Sequence, residues 1–218
     1  RFLLQLANEP GESYPVRLSA IEALGAYHDP QVLPVLKEVL FSANQPEVQA
    51  AALDALAERA VLVEELDLIG FMVDQMTSGT GAMSNSARNA LSAAGGVTAV
   101  NTLMDLLKQY DGQLSLLALQ SGPPGEYQRI EQLRVIAVQV LIGMGVRVVE
   151  PMFRRCAMES MPWLDSFQQV FVALGQPVKD LLVPELVSPF FFRRRMAARL
   201  LERLEDRKST RLNSSHRI

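Results

Sequence analysis

The sequence predicts an all-α solenoid, a right-handed superhelix of about five to six helix hairpins spanning residues 1–205. Three observations predict it. Apolar residues recur at helical spacing almost throughout, and almost no segment alternates as a half-buried strand does. The stretch EVQAAALDALAERA repeats PVRLSAIEALGAYH, aligning Val48 with Val16, Ala52 with Ala20, Leu53 with Ile21 and Leu56 with Leu24. Later helical stretches are broken by glycine at Gly95-Gly96, Gly145 and Gly175, the last two about one repeat apart.

Taken in order, VRLSAIEALGAY places Ala20, Ile21, Leu24 and Tyr27 on one helix face. The stripe of the next helix is Val32, Val35, Leu36 and Val39. Between them, Asp29 suits a cap and Pro30 a first helical turn. Residues 16–41 therefore read as the first hairpin. EVQAAALDALAERA and VEELDLIGFMVDQM form the second, and SARNALSAAGGVTAVNTLMDLLKQ the third. QLRVIAVQVLIGMGVRVVEPMFRRCAM makes a fourth, turning at Gly145, and LDSFQQVFVALGQPVKDLLVPELV a fifth, turning at Gly175. RRRMAARLLERLE opens a sixth. Small residues at Ala20, Ala23, Ala52, Ala55, Ala93 and Ala94 let neighbouring hairpins approach closely. Glycine at the turns supplies positive φ where helices end.

Two stretches interrupt the period. TSGTGAMSNS at 77–86 reads as a Gly/Ser-rich loop. YDGQLSLLALQSGPPGEYQ at 110–128 reads as an insertion loop, which in repeat proteins often serves binding. The run DRKSTRLNSSH at 206–216 has no hydrophobic period. Translated back into codons, it resembles a common short-read sequencing adapter in frame. Residues 206–218 are therefore expected to be a non-native, disordered or frayed tail without function. With Arg1 rather than Met at the start, the rest reads as an internal fragment of a longer protein.

Residues 1–205 carry 17 basic and 23 acidic side chains, a formal charge of −6. Positions 1–80 hold 4 basic and 12 acidic groups, whereas 147–205 hold 9 and 7. Such a balance argues against general binding to phosphate backbones, which draws on clustered Lys and Arg. No run approaches the ~18 consecutive apolar residues of a membrane span. The single cysteine, Cys156, supports neither a disulfide framework nor a cysteine metal site, and fits a reducing, cytoplasmic setting.

The candidate sites are few. SGTGAMS lacks the Gly-Lys-Ser/Thr ending of a phosphate loop. His28 sits at a hairpin turn without a nucleophile beside it in sequence, and Cys156 reads as a small buried hydrophobe. Glu64, Glu65 and Asp67 cluster at a helix start, where carboxylates complement the dipole. The alternatives there are a cation site or contact with a basic partner. Arg193, Arg194 and Arg195, with Arg199 and Arg203, form the native basic run. Arg195, Arg199 and Arg203 share a helix face opposite Met196, Leu200, Leu201 and Leu204. The arginines read as a solvated face or as a patch for an anionic partner. Phe190, Phe191 and Phe192 beside them, and Trp163, are expected in the core or at its rim.

VRLSAIEALG…DPQVLPVLKEVL, VLIGMGVRVVEPMF and FVALGQPVKDLLVPEL resemble HEAT repeats, particularly the short bacterial kind also found in phycobilisome-lyase-like proteins. The shared elements are Ala-Leu-Gly at 23–25 and 173–175, then Leu33-Pro34 or Val149-Glu150-Pro151 opening the next helix. The second and third repeats lack the proline. The resemblance implies a protein-binding scaffold module of a larger bacterial protein, without catalytic residues, metal or cofactor. The alternatives it carries are a chromophore-lyase-like activity and nucleic-acid binding. Against the last, Arg17, Arg59, Arg88 and Arg134 stand singly among Glu22, Asp54 and Glu58.

Overall fold

The computed structural model describes residues 2–9, 11–27, 29–43, 45–58, 66–78, 81–120, 123–158 and 165–215, with side chains except at 8, 66, 94, 120, 124, 158 and 206–215. Every regular element among them is helical. In chain order these are α1 (Phe2–Asn8), α2 (Tyr14–Gly25), α3 (Val32–Ser42), α4 (Pro46–Ala57), α5 (Leu66–Ser78), α6 (Gly81–Ala94) and α7 (Val97–Gln120). There follow α8 (Pro124–Gly143), α9 (Val149–Met158), α10 (Asp165–Leu174), α11 (Gln176–Leu182) and α12 (Phe191–Ser215). Short 3-10 turns at Gly145–Val148 and Pro184–Val187 precede α9 and α12. The chain divides into two compact units, Arg1–Thr102 and Leu103–Ile218.

In the first unit α2, α4 and α6 stack side by side as an inner layer. The outer helices α1, α3 and α5 pack on α2, α4 and α6 respectively. The pairing differs from the hairpins expected from sequence. α3 packs on α4, which follows it, so 16–41 is not a closed pair. Periodicity determined each apolar face but not the neighbour that covers it. One bond per pair shows the register. The fourth residue of each inner helix donates to a carbonyl in the last turn of its outer partner. Arg17 Nε reaches Ala7 O at 3.4 Å, Gln49 Nε2 reaches Leu40 O at 3.0 Å, and Ser84 Oγ reaches Met76 O at 3.3 Å. A second tie links inner helices, where Ser86 Oγ donates to Asp54 Oδ2 at 2.9 Å.

The alignment of the first two repeats holds in the core. Ala20, Ile21 and Leu24 are buried, as are Ala52, Leu53 and Leu56. Val16 and Tyr27 depart from it and are exposed. Of the small residues, Ala20, Ala52 and Ala55 are buried, while Ala23 and Ala93 face outward. The close approach of α2 and α4 falls at Gly25. A Cβ there would lie 3.1 Å from Ala55 Cβ and 3.2 Å from Ala55 Cα.

In the second unit α8 packs on α10, and α12 packs on α9, α10 and α11. Phe153, Phe167 and Phe171 fill the centre. Gly145 and Gly175, both at φ +70°, make the turns that their positions predicted.

Two expectations fail here. Residues 110–120 are not a loop but the second half of α7, and 124–128 open α8. Leu106, Tyr110, Leu114 and Leu117 keep helical spacing and pack with Ile130 and Leu133. Gly112 faces open space, so its cost is only one of propensity. Residues 77–78 and 81–86 likewise belong to α5 and α6. The backbone of α12 runs on through Asp206–Ser215, the stretch expected to be a disordered or frayed tail. Extending an existing helix is cheap, and Arg207, Lys208, Arg211 and Leu212 are good helix formers.

Candidate functional site

Two surfaces collect polar chemistry, both in the second unit. The first is at the start of α12. A bend at Pro189-Phe190 leads into the helix entrance. Arg194 Nη1 donates to the carbonyls of Ser188 at 2.7 Å and Pro189 at 3.0 Å, tying the bend to the first turn. Its guanidinium also lies 5.9 Å from the centroid of the Phe191 ring. Arg193 turns inward. Its Nε donates to Glu185 Oε2 at 2.6 Å, a second nitrogen bonds the other carboxylate oxygen, and Glu150 lies 3.7 Å away. The guanidinium sits 5.4 Å from the Phe153 ring. The Glu185 bond, foremost, holds the Arg193 guanidinium above its usual pKa, against the cost of its burial.

The run therefore splits. Arg193 and Arg194 are bonded within the fold. Arg195, Arg199 and Arg203 are exposed on one face, while Ala197, Leu200 and Leu204 are buried on the other. Phe190, Phe191 and Phe192 are not core; they are 65 %, 58 % and 59 % exposed. At the other candidate site, Asp67 is exposed in the first turn of α5, as the dipole favours. Glu64 and Glu65 lie outside the described residues, as do His28 and Trp163.

The second surface was not read from sequence. A cavity of about 500 Å³ is lined by Asp111, Leu114, Tyr127, Glu131, Arg134 and Asp165, among others. Ser166 Oγ, fully buried, donates to Asp111 at 2.8 Å and accepts from Arg134 Nη1 at 3.1 Å. Arg134 also holds Glu131, with Nε at 2.8 Å from Oε2. Burial pushes the Asp111 carboxyl up, while the Ser166 hydrogen bond and the Arg134 charge pull it back. Glu131 is lowered, chiefly by its bond to Arg134. Asp111 and Ser166 are 55 residues apart, and no motif links them.

The Ser166 hydroxyl is buried and donates its hydrogen bond to the Asp111 carboxylate, so the network ties α7, α8 and α10 together. Cys156 is buried, as expected. Among the described residues, no three His, Cys, Asp or Glu side chains converge on a metal-sized position. No single described helix is long and apolar enough to cross a membrane.

No curated protein matches this chain. Residues 1–69, comprising the α1/α2 and α3/α4 pairs and the start of α5, match the family model for HEAT repeats. The layered helices are those of an all-α solenoid, and its residues 1–69 are similar to HEAT repeats.

Proposed function

We propose that the chain is a non-enzymatic protein-binding scaffold. The stacking of α2, α4 and α6 carries this reading, each tied at its fourth residue to an outer helix. Repeats stacked this way present a long, continuous surface and need no enclosed cavity. HEAT repeats commonly serve as protein-interaction scaffolds. The buried Ser166 hydroxyl and Cys156 thiol support a role without covalent chemistry. Exposed Glu22, Glu47 and Glu58 on the inner helices favour protein over phosphate backbones as the partner. A cytoplasmic module of a larger bacterial protein suits the single buried thiol and the repeat type.

Selection of displayed random peptides on the immobilised chain tests the proposal. The expected result is enrichment of related peptides that bind at micromolar strength as free synthetic copies. No enrichment over an immobilised control protein would sink the reading.

A further inference from the structure

The most exposed apolar surface of the second unit lies beside its basic crest. Val187 is 85 % exposed, and Phe190, Phe191 and Phe192 follow it into α12. These side chains are held rather than loose. Arg194 staples the bend beneath them, and the rings of Phe191 and Phe192 meet edge-on at 5.7 Å. Rigid exposed aromatics lose little freedom on binding, so they make good anchors.

Arg195 lies four residues beyond Phe191 and three beyond Phe192, so the crest continues the aromatic face. Arg195, Arg199 and Arg203 then climb α12 with a rise of about 6 Å between neighbours. Among the described residues no carboxylate is bonded to any of the three. An extended chain places side chains on one side every ~6.7 Å, which nearly matches this rise.

We propose that the α12 crest docks an extended acidic segment of a partner protein. Carboxylates at alternate positions would meet Arg195, Arg199 and Arg203, and an apolar side chain at one end would rest on Phe191 and Phe192. This names the partner chemistry for the scaffold reading and rests on it. A narrow segment fits better than a broad anionic surface. Exposed Glu202, three residues beyond Arg199, interrupts the crest, and the whole chain carries a net charge of −3. A bilayer or duplex would press its phosphates against that carboxylate; a single strand can set an uncharged residue opposite it.

The test uses the full chain and a short fluorescent peptide with glutamate at alternate positions and Leu-Phe at one end. Fluorescence anisotropy should show saturable binding that weakens as salt rises. The Arg195→Glu, Arg199→Glu double variant should bind at least about tenfold more weakly. Phe191→Ser with Phe192→Ser should also weaken binding, while circular dichroism confirms unchanged helicity. If either double variant loses helicity, Arg199→Ala alone should still weaken binding severalfold. A peptide of the same composition with its glutamates clustered should bind less well. Unchanged affinity in the charge-reversed variant overturns the proposal. So does tighter binding to phosphatidylserine vesicles or duplex DNA than to the peptide, or sedimentation showing a second copy on this face. Selected peptides that ignore Arg195 and Arg199 would refute this surface and leave the scaffold reading standing. Absence of any selected peptide would refute both.

Discussion

Gly25→Ala tests the closest helix approach in the first unit. Gly25 ends α2 where it crosses α4. The new methyl would meet Ala55 Cβ at 3.1 Å, Ala55 Cα at 3.2 Å and Glu58 Oε2 at 3.3 Å. Glu58 can swing away. The Ala55 backbone cannot, because Ala55 is buried within α4. Two effects oppose each other. Alanine gains up to ~1 kcal/mol of helix propensity, and less at a helix end. Overpacking against fixed backbone costs about 1–3 kcal/mol. The net expectation is a loss of about 1–2 kcal/mol, roughly 2–8 °C in Tm for a chain of this size. Gly25→Val should lose more. Urea unfolding followed by circular dichroism gives the magnitude. Hydrogen exchange of peptides covering α2 and α4 shows whether the loss sits at that seam. Ala55→Gly in the Gly25→Ala background removes the 3.1 Å contact and should restore part of the loss. A Gly25→Ala chain as stable as wild type, with unchanged exchange, would falsify the close approach.

Other perturbations address the core and the polar ties. Leu24→Ala and Leu56→Ala, equivalent and buried, should each cost about 2–5 kcal/mol; near-neutral results at both would mean the repeat register is wrong. Arg193→Ala should cost about 1–2 kcal/mol by stranding Glu185, whereas Arg195→Ala should stay within about 0.5 kcal/mol; equal effects in thermal melts would contradict the split described for this run. Ser166→Ala should cost about 1–3 kcal/mol and push the Asp111 carboxyl higher, which carbon-detected NMR titration can follow. Because burial already raises Asp111 above the usual Asp range, its folded state holds the proton more tightly than the unfolded chain does. Its contribution to stability therefore falls as pH rises through that range toward the raised value. The stability gap between wild type and Asp111→Asn should be wider near pH 4 than at pH 7, and urea midpoints at the two pH values check the sign.

The helices of the first unit were legible because burial imposes a period. Ile21, Leu24, Leu53 and Leu56 are buried as their spacing requires. Gly145 and Gly175 were legible because only glycine takes their φ readily. Which helix covers which was not legible, since an apolar stripe is indifferent to its partner. The ties that reveal the pairing come from Arg17, Gln49 and Ser84. These residue types have only a donor in common, so no comparison of letters aligns them. The turn residues around 112 and 122–125 drew attention away from the Tyr110, Leu114 and Leu117 period. Phe190–Phe192 were misplaced for another reason. Hydrophobicity argues for burial, but position in the fold decides it, and the entrance to α12 is exposed. The Asp111, Ser166 and Arg134 network joins residues from three helices whose separation in sequence says nothing of their contact.

Asp54 meets Ser86, and Arg134 meets Ser166, each across 32 residues. Leu24 and Leu56 stand the same distance apart. In the first unit the register residues Arg17, Gln49 and Ser84 advance by 32 and then 35, so each inner helix packs beside its counterpart one repeat along. A block of one repeat duplicated in frame inside the first unit would hand every helix a neighbour of the kind it already has. Loss of such a block would rejoin surfaces of the same kind. The gene can thus change length in whole steps without inventing a new core, whereas a partial step inside a helix would misalign donor and acceptor at that helix's own seam.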